Sequence, residues 1–298
     1  MPMHLSDLID ISNQQFQENS FKNLFCTADN QFHFNPTTVR AIHSLGRKLD
    51  MISDEDTEIL FLNYTEGFIR TFHQTDPYLN FGSKDNLAIR QIYSLLLRDI
   101  IDEFPIREIE ERHYERIRLF IRKTNPGVYQ INHNPDRRAK HFECAEYSSV
   151  FQLNLLDIDS RYIIEPVLDI GCGEHGYLVE YFRGQHMAAY GIDCLKKSSH
   201  YFYDDNWLEF SYGHERWGTI ISHLSFNSHF LHHFLLNDGL DILFAQTYMN
   251  ILESLVPGGH WIYTPAVHFM EDLLPHEKYV INRTPINANF YKTVVTKL

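Results

Sequence analysis

The stretch Val167-Leu168-Asp169-Ile170-Gly171-Cys172-Gly173-Glu174-His175-Gly176 decides the fold of this chain. Its apolar start predicts a buried strand, and three glycines at GxGxxG spacing permit a sharp turn that a ligand can approach closely. A second apolar run at residues 187–192 ends on Asp193, which lies 20 residues after Gly173 (193 − 173 = 20). Strand, glycine turn, helix and a second strand tipped with an acid form a nucleoside-binding half-fold.

The predicted ligand of this turn is an adenosine-type cofactor. We expect a helix from about residue 175 to 183, with Gly184 as its left-handed cap, pointing its free N–H groups at the ligand. The Asp193 carboxylate can accept hydrogen bonds from both ribose hydroxyls. A nicotinamide or flavin dinucleotide and S-adenosylmethionine then compete, and Asp169 favours the second. A carboxylate beside the loop repels an anionic pyrophosphate and attracts a methionine ammonium group.

From Pro166 to the C-terminus, the sequence resembles the S-adenosylmethionine-dependent methyltransferases of the Rossmann-like class. Residues 167–173 resemble the family's first motif, and residues 190–193 resemble its second. Residues 217–222 are similar to its fourth strand, and residues 251–263 to its helix, Pro-Gly-Gly turn and fifth strand. Residues 278–286 and 289–297 are similar to its terminal antiparallel hairpin. The resemblance implies an α/β fold: a three-layer α/β/α, seven-stranded, Rossmann-like methyltransferase domain after an all-helical N-terminal region.

The same resemblance implies which residues contact the cofactor. Asp169, Gly171 and Gly173 would hold the methionine end, and Asp193 would hold the ribose. Asp204 or Asp205, after the third strand, would face the adenine amino group, and Trp207 or Leu195 would cover the ring. Only ten residues separate Asp193 from Asp204 (203 − 194 + 1 = 10), so the helix usual there must be short or replaced by a loop. The full expected set is Asp169, Gly171, Cys172, Gly173, Asp193, Cys194, Asp204, Asp205, Trp207 and Ser222.

Residues after the fourth and fifth strands are expected to line the acceptor pocket, because ligands of open α/β sheets bind beyond the carboxyl ends of the strands. These are residues 222–229, residues 263–268 and Glu271. A hydroxyl acceptor must lose a proton, and histidine suits that task near neutral pH. His223 is the first candidate base, ahead of His229 and His268, and a structural role is the alternative for each. His229 and His233 share a helical spacing, but no third ligand is evident, so we expect no metal.

Composition limits the partners of this chain. The net charge is −13 with a pI near 5.7, which argues against nonspecific binding to a phosphate backbone. No run of eighteen apolar residues appears, so no membrane span is expected. The four cysteines, at positions 26, 144, 172 and 194, form no CxxC pair. Reduced thiols and the lack of a secretory signal favour a cytoplasmic protein.

The N-terminal half is predicted to be helical, with helices near residues 36–49, 53–73, 84–104 and 107–123. Ser53 is expected to cap the second of these. We place the domain boundary between residues 135 and 136, giving a helical region 1–135 and a methyltransferase domain 136–298. The helical region either roofs the pocket or serves stability or dimerisation, so a homodimer is one option.

The sequence therefore predicts transfer of the S-adenosylmethionine methyl group to a small-molecule acceptor, with oxygen slightly preferred as the acceptor atom because a histidine base is available. Two alternatives remain. The first is an NAD-dependent oxidoreductase, and the second is a noncatalytic protein that binds S-adenosylmethionine.

Overall fold

A computed structural model describes residues 5–20, 24, 32–45, 52–126, 147–195, 198–286 and 290–298. The chain divides into two compact units, Met1–Cys144 and Ala145–Leu298. The boundary predicted between residues 135 and 136 lies within residues 127–146, which are outside the described residues. No helix in the described ranges is long and apolar enough to cross a membrane.

The N-terminal unit is helical, as the sequence predicts. Its helices are α1 (Leu5–Asn19), α2 (Pro36–Leu45), α3 (Asp54–Thr75), α4 (Ser83–Ile101) and α5 (Ile106–Thr124). The predicted cap is confirmed, because the Ser53 hydroxyl accepts a hydrogen bond of 3.1 Å from the Asp56 N–H. The apolar stripes of these helices meet in one core that is rich in aromatic residues.

The C-terminal unit alternates strands and helices. Its strands are β1 (Val167–Ile170), β2 (Ala189–Ile192), β3 (Phe202–Tyr203), β4 (Trp217–His223), β5 (Leu255–Thr264), β6 (Tyr279–Pro285) and β7 (Tyr291–Lys297). Its helices are α6 (Ser149–Leu155), α7 (Tyr177–Gly184), α8 (Phe226–Leu236), α9 (Leu240–Glu253) and α10 (His268–Glu271), with a short 3₁₀ turn at Ser160–Tyr162.

These strands form one seven-stranded sheet in the order β3-β2-β1-β4-β5-β7-β6. Strands β1 to β5 are parallel to one another. Strand β7 pairs antiparallel with both β5 and β6. The terminal antiparallel hairpin and the seven-stranded α/β/α arrangement are therefore confirmed. The predicted Pro-Gly-Gly turn appears as a bulge inside β5, where the register on β4 shifts between Trp217 and Thr219 and Gly258 has φ +79°.

The central strands β1 and β4 are buried on both faces, which explains their near-continuous apolar sequences. All four residues of β1 and all seven of β4 are buried. Large aromatic side chains, among them Trp217, Trp261 and Phe226, fill the space between the sheet and its helices. This core fixes the carboxyl ends of β1, β2 and β4, where the candidate site lies.

Candidate functional site

The glycine turn follows β1 and requires glycine at its first position. Gly171 has φ +81° and Gly173 has φ +72°, a backbone region that other residues adopt rarely. A Cβ on Gly171 would lie 2.3 Å from Cβ of Ser225. The N–H of Gly171 donates to the Ile192 carbonyl at 2.9 Å, so the turn is also tied to the end of β2.

Asp193 holds the second half of this turn. Its side chain is 7% exposed. One carboxylate oxygen accepts the Gly173 N–H at 3.0 Å, and the other accepts the Leu195 N–H at 2.9 Å. Because the Gly173 N–H donates its hydrogen bond to Asp193, it is not available to bind an anion.

Asp169 lies beside this acid, one strand away. It is 3% exposed, and burial raises the pKa of its carboxyl to about 7, with the nearby charge of Asp193 as the second cause. Two carboxyl groups therefore repel each other at the carboxyl ends of β1 and β2. Such a site favours a cation and disfavours an anion.

Helix α7 begins and ends later than the sequence predicts. It starts at Tyr177, after Gly176 in the left-handed conformation at its N-cap, whereas His175 precedes the helix and stacks on Tyr177 at 5.1 Å. Its first turn carries Glu180, which is exposed. The predicted left-handed cap at Gly184 is wrong: Gly184 is the last helical residue, and His186 makes the left-handed turn with φ +64°.

Two serines join the ends of β4 and β1. The Ser225 hydroxyl donates to the Ile170 carbonyl and lies 2.9 Å from the Ser222 hydroxyl. Ser222 is fully buried, and its hydroxyl forms a hydrogen bond with the Ser225 hydroxyl. The pair brings the start of α8 against the glycine turn, which explains why no side chain fits at Gly171.

Trp207 lies against the other side of the same turn. A Cβ on Gly171 would be 3.2 Å from the indole carbon Cζ2. The indole also meets the His229 ring edge to face, with centroids 4.9 Å apart. Its Nε1 is buried without a hydrogen-bond partner in the part of the chain that the structure describes. Trp207 and His229 therefore stand beside the turn, and a ring-covering role remains a prediction for Trp207.

The acids after β3 are more accessible. Asp204 is exposed, and Asp205 is half-buried and accepts the Asn206 N–H at 2.8 Å. Burial raises the pKa of Asp205. The described residues between β2 and β3 contain no helix, in line with the short spacing of Asp193 and Asp204. An adenine contact for either acid remains a prediction.

The two cysteines of the site differ in burial. Cys172 is buried in the glycine turn, and its Sγ would lie 2.7 Å from a Cβ on Gly191 of β2. It therefore fills a tight corner, as expected from its size. Cys194 is partly exposed and directly follows Asp193.

His223 ends β4 and is 8% exposed. Its ring meets Tyr147 and Phe151 edge to face, with centroids 5.1 and 6.2 Å away. Its Nε2 is buried and has no hydrogen-bond partner among the described residues. Burial lowers the pKa of the imidazole to about 4, so the ring is neutral near pH 7. The next residue, Leu224, has φ +52°, a strained conformation for a branched side chain.

His268 lies in a different setting. It is half exposed, with its Nδ1 3.5 Å from Glu271 and its ring edge-on to Tyr291. Glu271, expected in the acceptor pocket, is buried at the centre of a hydrogen-bond network. It accepts from the Tyr263 hydroxyl at 2.8 Å, the Val267 N–H at 2.7 Å, the Thr293 hydroxyl at 3.0 Å and the Arg283 guanidinium. The network fixes the hairpin to β5.

Asn227 is a site residue that the sequence did not single out. It lies in the first turn of α8 and is 0% exposed. Neither its Oδ1 nor its Nδ2 has a hydrogen-bond partner in the described part of the chain. A buried amide without partners is costly, at about 1–3 kcal/mol. Its place after the fourth strand was the only available signal.

One histidine of the α8 pair, His233, is paired with an acid and packed on an aromatic ring. The His233 Nδ1 lies 2.8 Å from Asp238, and the ring is stacked on Phe244. The described ranges contain no group of three or more His, Cys, Asp or Glu residues that could hold a metal ion.

Comparisons with known proteins point to partial likenesses. No protein-family model matches the sequence, and no curated protein matches it. The chain is similar to the structure of a putative S-adenosylmethionine-dependent methyltransferase from Listeria monocytogenes (12% identity, 51% of this chain, 100% of that chain, TM-score 0.37). It is also similar to the N-methyltransferase NodS from Bradyrhizobium japonicum in complex with S-adenosyl-L-homocysteine (15% identity, 50% of this chain, 85% of that chain, TM-score 0.36). A third similar structure is that of an rRNA methylase from Streptococcus thermophilus (13% identity, 52% of this chain, 99% of that chain, TM-score 0.35).

The strand order of the C-terminal unit decides between the two Rossmann-type sheets. A dinucleotide-binding sheet orders its parallel strands 3-2-1-4-5-6. Here β7 is inserted antiparallel between β5 and β6. The inserted antiparallel strand matches the seven-stranded sheet with a terminal hairpin that the sequence resemblance to the Rossmann-like methyltransferases implies. In this sheet, Asp169, Asp193 and His223 all lie at or just beyond the carboxyl ends of their strands, where open α/β sheets bind ligands.

Proposed function

We propose that the C-terminal unit binds S-adenosylmethionine at the glycine turn and transfers its methyl group to a small-molecule acceptor. The observation that carries this proposal is the repulsion between Asp169 and Asp193, which helps to raise the pKa of Asp169 to about 7. The sulfonium of the bound cofactor supplies an activated methyl group, so the protein needs only to orient the acceptor and remove a proton.

The acid pair fits this cofactor better than it fits a dinucleotide. S-adenosylmethionine carries an ammonium and a sulfonium, and a cation near Asp169 relieves its repulsion from Asp193. A pyrophosphate would add negative charge beside both acids. The Gly173 N–H is also already bonded to Asp193. These observations disfavour the NAD-dependent oxidoreductase.

The cofactor roles follow from the charge and position of each residue. Asp169 holds the methionine ammonium, and the Asp193 carboxylate, just beyond the end of β2, accepts hydrogen bonds from the ribose hydroxyls. Trp207 covers the adenine from beside the glycine turn, and Asp204 or Asp205 accepts from its amino group. Cys172, Cys194 and Ser222 complete the surroundings of the cofactor as predicted contacts.

His223 is proposed as the base that removes a proton from a hydroxyl acceptor. Its Nε2 has no partner among the described residues, and its low pKa keeps it unprotonated at neutral pH. The unpartnered amide of Asn227, four residues later, is proposed to bind the acceptor. Tyr147 and Phe151 supply an aromatic wall around His223. These features favour O-methylation of a small aromatic or apolar molecule.

The charge of the chain and its cysteines complete the proposal. A net charge of −13 opposes binding to a phosphate backbone, so the acceptor is proposed to be a small molecule rather than a nucleic acid. The proposed cytoplasmic location rests on the sequence, whose four cysteines contain no CxxC pair.

The test is a turnover assay with S-adenosylmethionine labelled in its methyl group. The panel contains phenols, aliphatic alcohols, amines and a short RNA. We expect S-adenosylhomocysteine to form with a hydroxyl acceptor, and His223→Gln to slow turnover by about 10²–10⁴-fold without changing cofactor affinity. Cofactor binding without turnover on any acceptor would instead support a noncatalytic binding protein.

A further inference from the structure

The side chain of Trp207 carries a buried hydrogen-bond donor that is not used within the described residues. Its Nε1 is buried and makes no hydrogen bond there. An indole nitrogen can only donate, and leaving a buried donor unpaired is unfavourable. By contrast, the Nε1 of Trp217 donates to the Tyr212 carbonyl at 2.9 Å. An acceptor atom supplied by a ligand would remove the cost at Trp207.

The edge of the indole that carries this N–H meets the glycine turn. A Cβ on Gly171 would lie 3.2 Å from Trp207 Cζ2. Cζ2 and Nε1 are bonded to the same ring carbon, Cε2, so the two atoms belong to one edge of the indole. The unused donor therefore lies beside the turn that is expected to hold the methionine end of the cofactor.

The first three backbone N–H groups of the turn are already bonded inside the protein. Those of Gly171 and Cys172 donate to the Ile192 carbonyl at 2.9 and 3.3 Å. That of Gly173 donates to Asp193 at 3.0 Å. Successive backbone N–H groups of a turn can form an anion site, but these three are occupied.

The hydroxyl groups of the two serines beside the turn are occupied as well. The Ser225 hydroxyl donates its one hydrogen to the Ile170 carbonyl. The bond of 2.9 Å between the two hydroxyls must then use the hydrogen of Ser222. Neither serine has a hydrogen left for an anionic group of a ligand.

The methionine end of S-adenosylmethionine carries an ammonium and a carboxylate on the same carbon atom. With the ammonium at Asp169, the carboxylate also lies near the end of β1, where Asp169 and Asp193 repel it. A donor close to the turn is needed to offset this repulsion, and a hydrogen bond to a charged acceptor is among the stronger ones.

We propose that Trp207 binds the carboxylate of the cofactor's methionine end by donating its indole N–H. Trp207 would act inside the proposed cofactor site, so this role rests on the proposed function. The edge of the indole serves the carboxylate, whereas the covering of adenine uses the face of the ring.

S-adenosylhomocysteine and 5′-methylthioadenosine form a matched pair of probes, because the second lacks the amino-acid end. We expect Trp207→Phe, which keeps an aromatic ring and removes the N–H, to weaken S-adenosylhomocysteine binding about 10- to 100-fold. The affinity for 5′-methylthioadenosine should stay within about threefold. Calorimetric titration of the full-length proteins measures both affinities.

Trp261→Phe is the matched control for this substitution. The Nε1 of Trp261 is also buried without a partner among the described residues, but its ring packs on Tyr248 and Phe226 in the core. We expect this variant to keep the wild-type affinity for S-adenosylhomocysteine.

The two probes separate the possible failures. An equal loss of affinity for both probes in Trp207→Phe would show that the ring covers adenine without binding the carboxylate. An unchanged affinity for S-adenosylhomocysteine would assign the carboxylate to another donor, such as the start of α7. Either result overturns the proposal and leaves the cofactor site intact, whereas a wild-type protein that binds neither probe refutes the site itself.

The indole N–H signals in ¹H–¹⁵N spectra test the same bond in the wild-type protein. The chain has three tryptophans, and the Trp207 signal is the one that disappears in Trp207→Phe. We expect saturating S-adenosylhomocysteine to move this signal downfield from its position with 5′-methylthioadenosine, while the signals of Trp217 and Trp261 stay in place. A Trp207 signal at the same position in both complexes would overturn the proposal even if Trp207→Phe does not fold.

Discussion

Asp169 and Asp193 lie at the carboxyl ends of the adjacent parallel strands β1 and β2, and the charge of Asp193 adds to burial in raising the pKa of Asp169. The register explains this closeness, since Asp169 pairs with Gly191, two residues before Asp193. Asp193 is fixed by two backbone N–H groups and cannot turn away without releasing the glycine turn. The protein therefore maintains a repulsive pair that a bound cation would relieve.

Asp169→Asn should stabilise the ligand-free protein at high pH. The folded state binds the Asp169 proton up to a pKa of about 7, whereas the unfolded state releases it near 3.8. Stability of the wild type therefore falls as pH rises from about 4 to 7, and the variant lacks this loss. We expect the variant to be more stable at pH 8 by on the order of 1–4 kcal/mol, with a smaller difference at pH 5.

Urea unfolding at the two pH values measures this effect, and Asp204→Asn is the matched control because Asp204 is exposed. A constant difference between wild type and Asp169→Asn across pH would show that Asp169 has an ordinary pKa in the folded state.

Binding of S-adenosylmethionine should release protons near neutral pH. A cationic ligand lowers the raised pKa of Asp169, so a carboxyl that is partly protonated at pH 6.5 loses its proton on binding. We expect release of roughly half a proton or more, and an affinity that rises with pH until about 7. Calorimetry in two buffers of different ionisation enthalpy gives the number directly. An identical binding enthalpy in both buffers would argue against the ammonium contact.

Gly171→Ala should damage the site, whereas Gly184→Ala should not. A Cβ at Gly171 overlaps Ser225 and requires φ +81°, while a Cβ at Gly184 meets nothing within 4 Å in a helical conformation. We expect Gly171→Ala to lower the free energy of unfolding by about 1–3 kcal/mol and to weaken cofactor binding. Gly184→Ala should be neutral or stabilising by up to about 1 kcal/mol. Comparable effects for both substitutions would contradict the close contact at Gly171.

The pH profile of methyl transfer should reflect the low pKa of His223. An ordinary histidine base loses activity below about pH 6.5, whereas the pKa of His223 is lowered to about 4 by burial. We therefore expect kcat/KM to show no acid limb near pH 6.5 that depends on His223. His229→Gln is the control within α8, and its profile should match the wild type. A limb near pH 6.5 that disappears only in His223→Gln would show that this ring is solvated.

The glycine turn and the two acids beside it could be predicted from the sequence because their signals are local in the chain. The glycine turn, the strand before it and the acid 20 residues later need only one short half-fold, and parallel strands bring their carboxyl ends together. The terminal hairpin and helices α2 to α5 were similarly clear, since each has its own hydrophobic period. Helix α1 was not among the predicted helices.

Features set by distant contacts escaped the sequence. Glu271 is held by Tyr263, Thr293 and Arg283, from three different strands, so its structural role depends on the assembled sheet. The helix cap moved from Gly184 to His186 because the Met187 N–H reaches the Phe182 carbonyl at 3.1 Å, which closes the turn two residues later. The unpartnered amide of Asn227 likewise becomes visible only once burial is known.

The measurement that tests the central claim most directly is a calorimetric titration of the full-length protein with S-adenosylhomocysteine, S-adenosylmethionine and NAD at one ionic strength. We expect both sulfur compounds to bind, with affinities that fall at least tenfold in Asp193→Ala, and NAD to show no binding. Glu277→Gln, at an exposed acid of the same unit that has no proposed role in the site, serves as the control for a general change of charge. Binding of NAD with no response to either sulfur compound would contradict a site built for a cationic ligand.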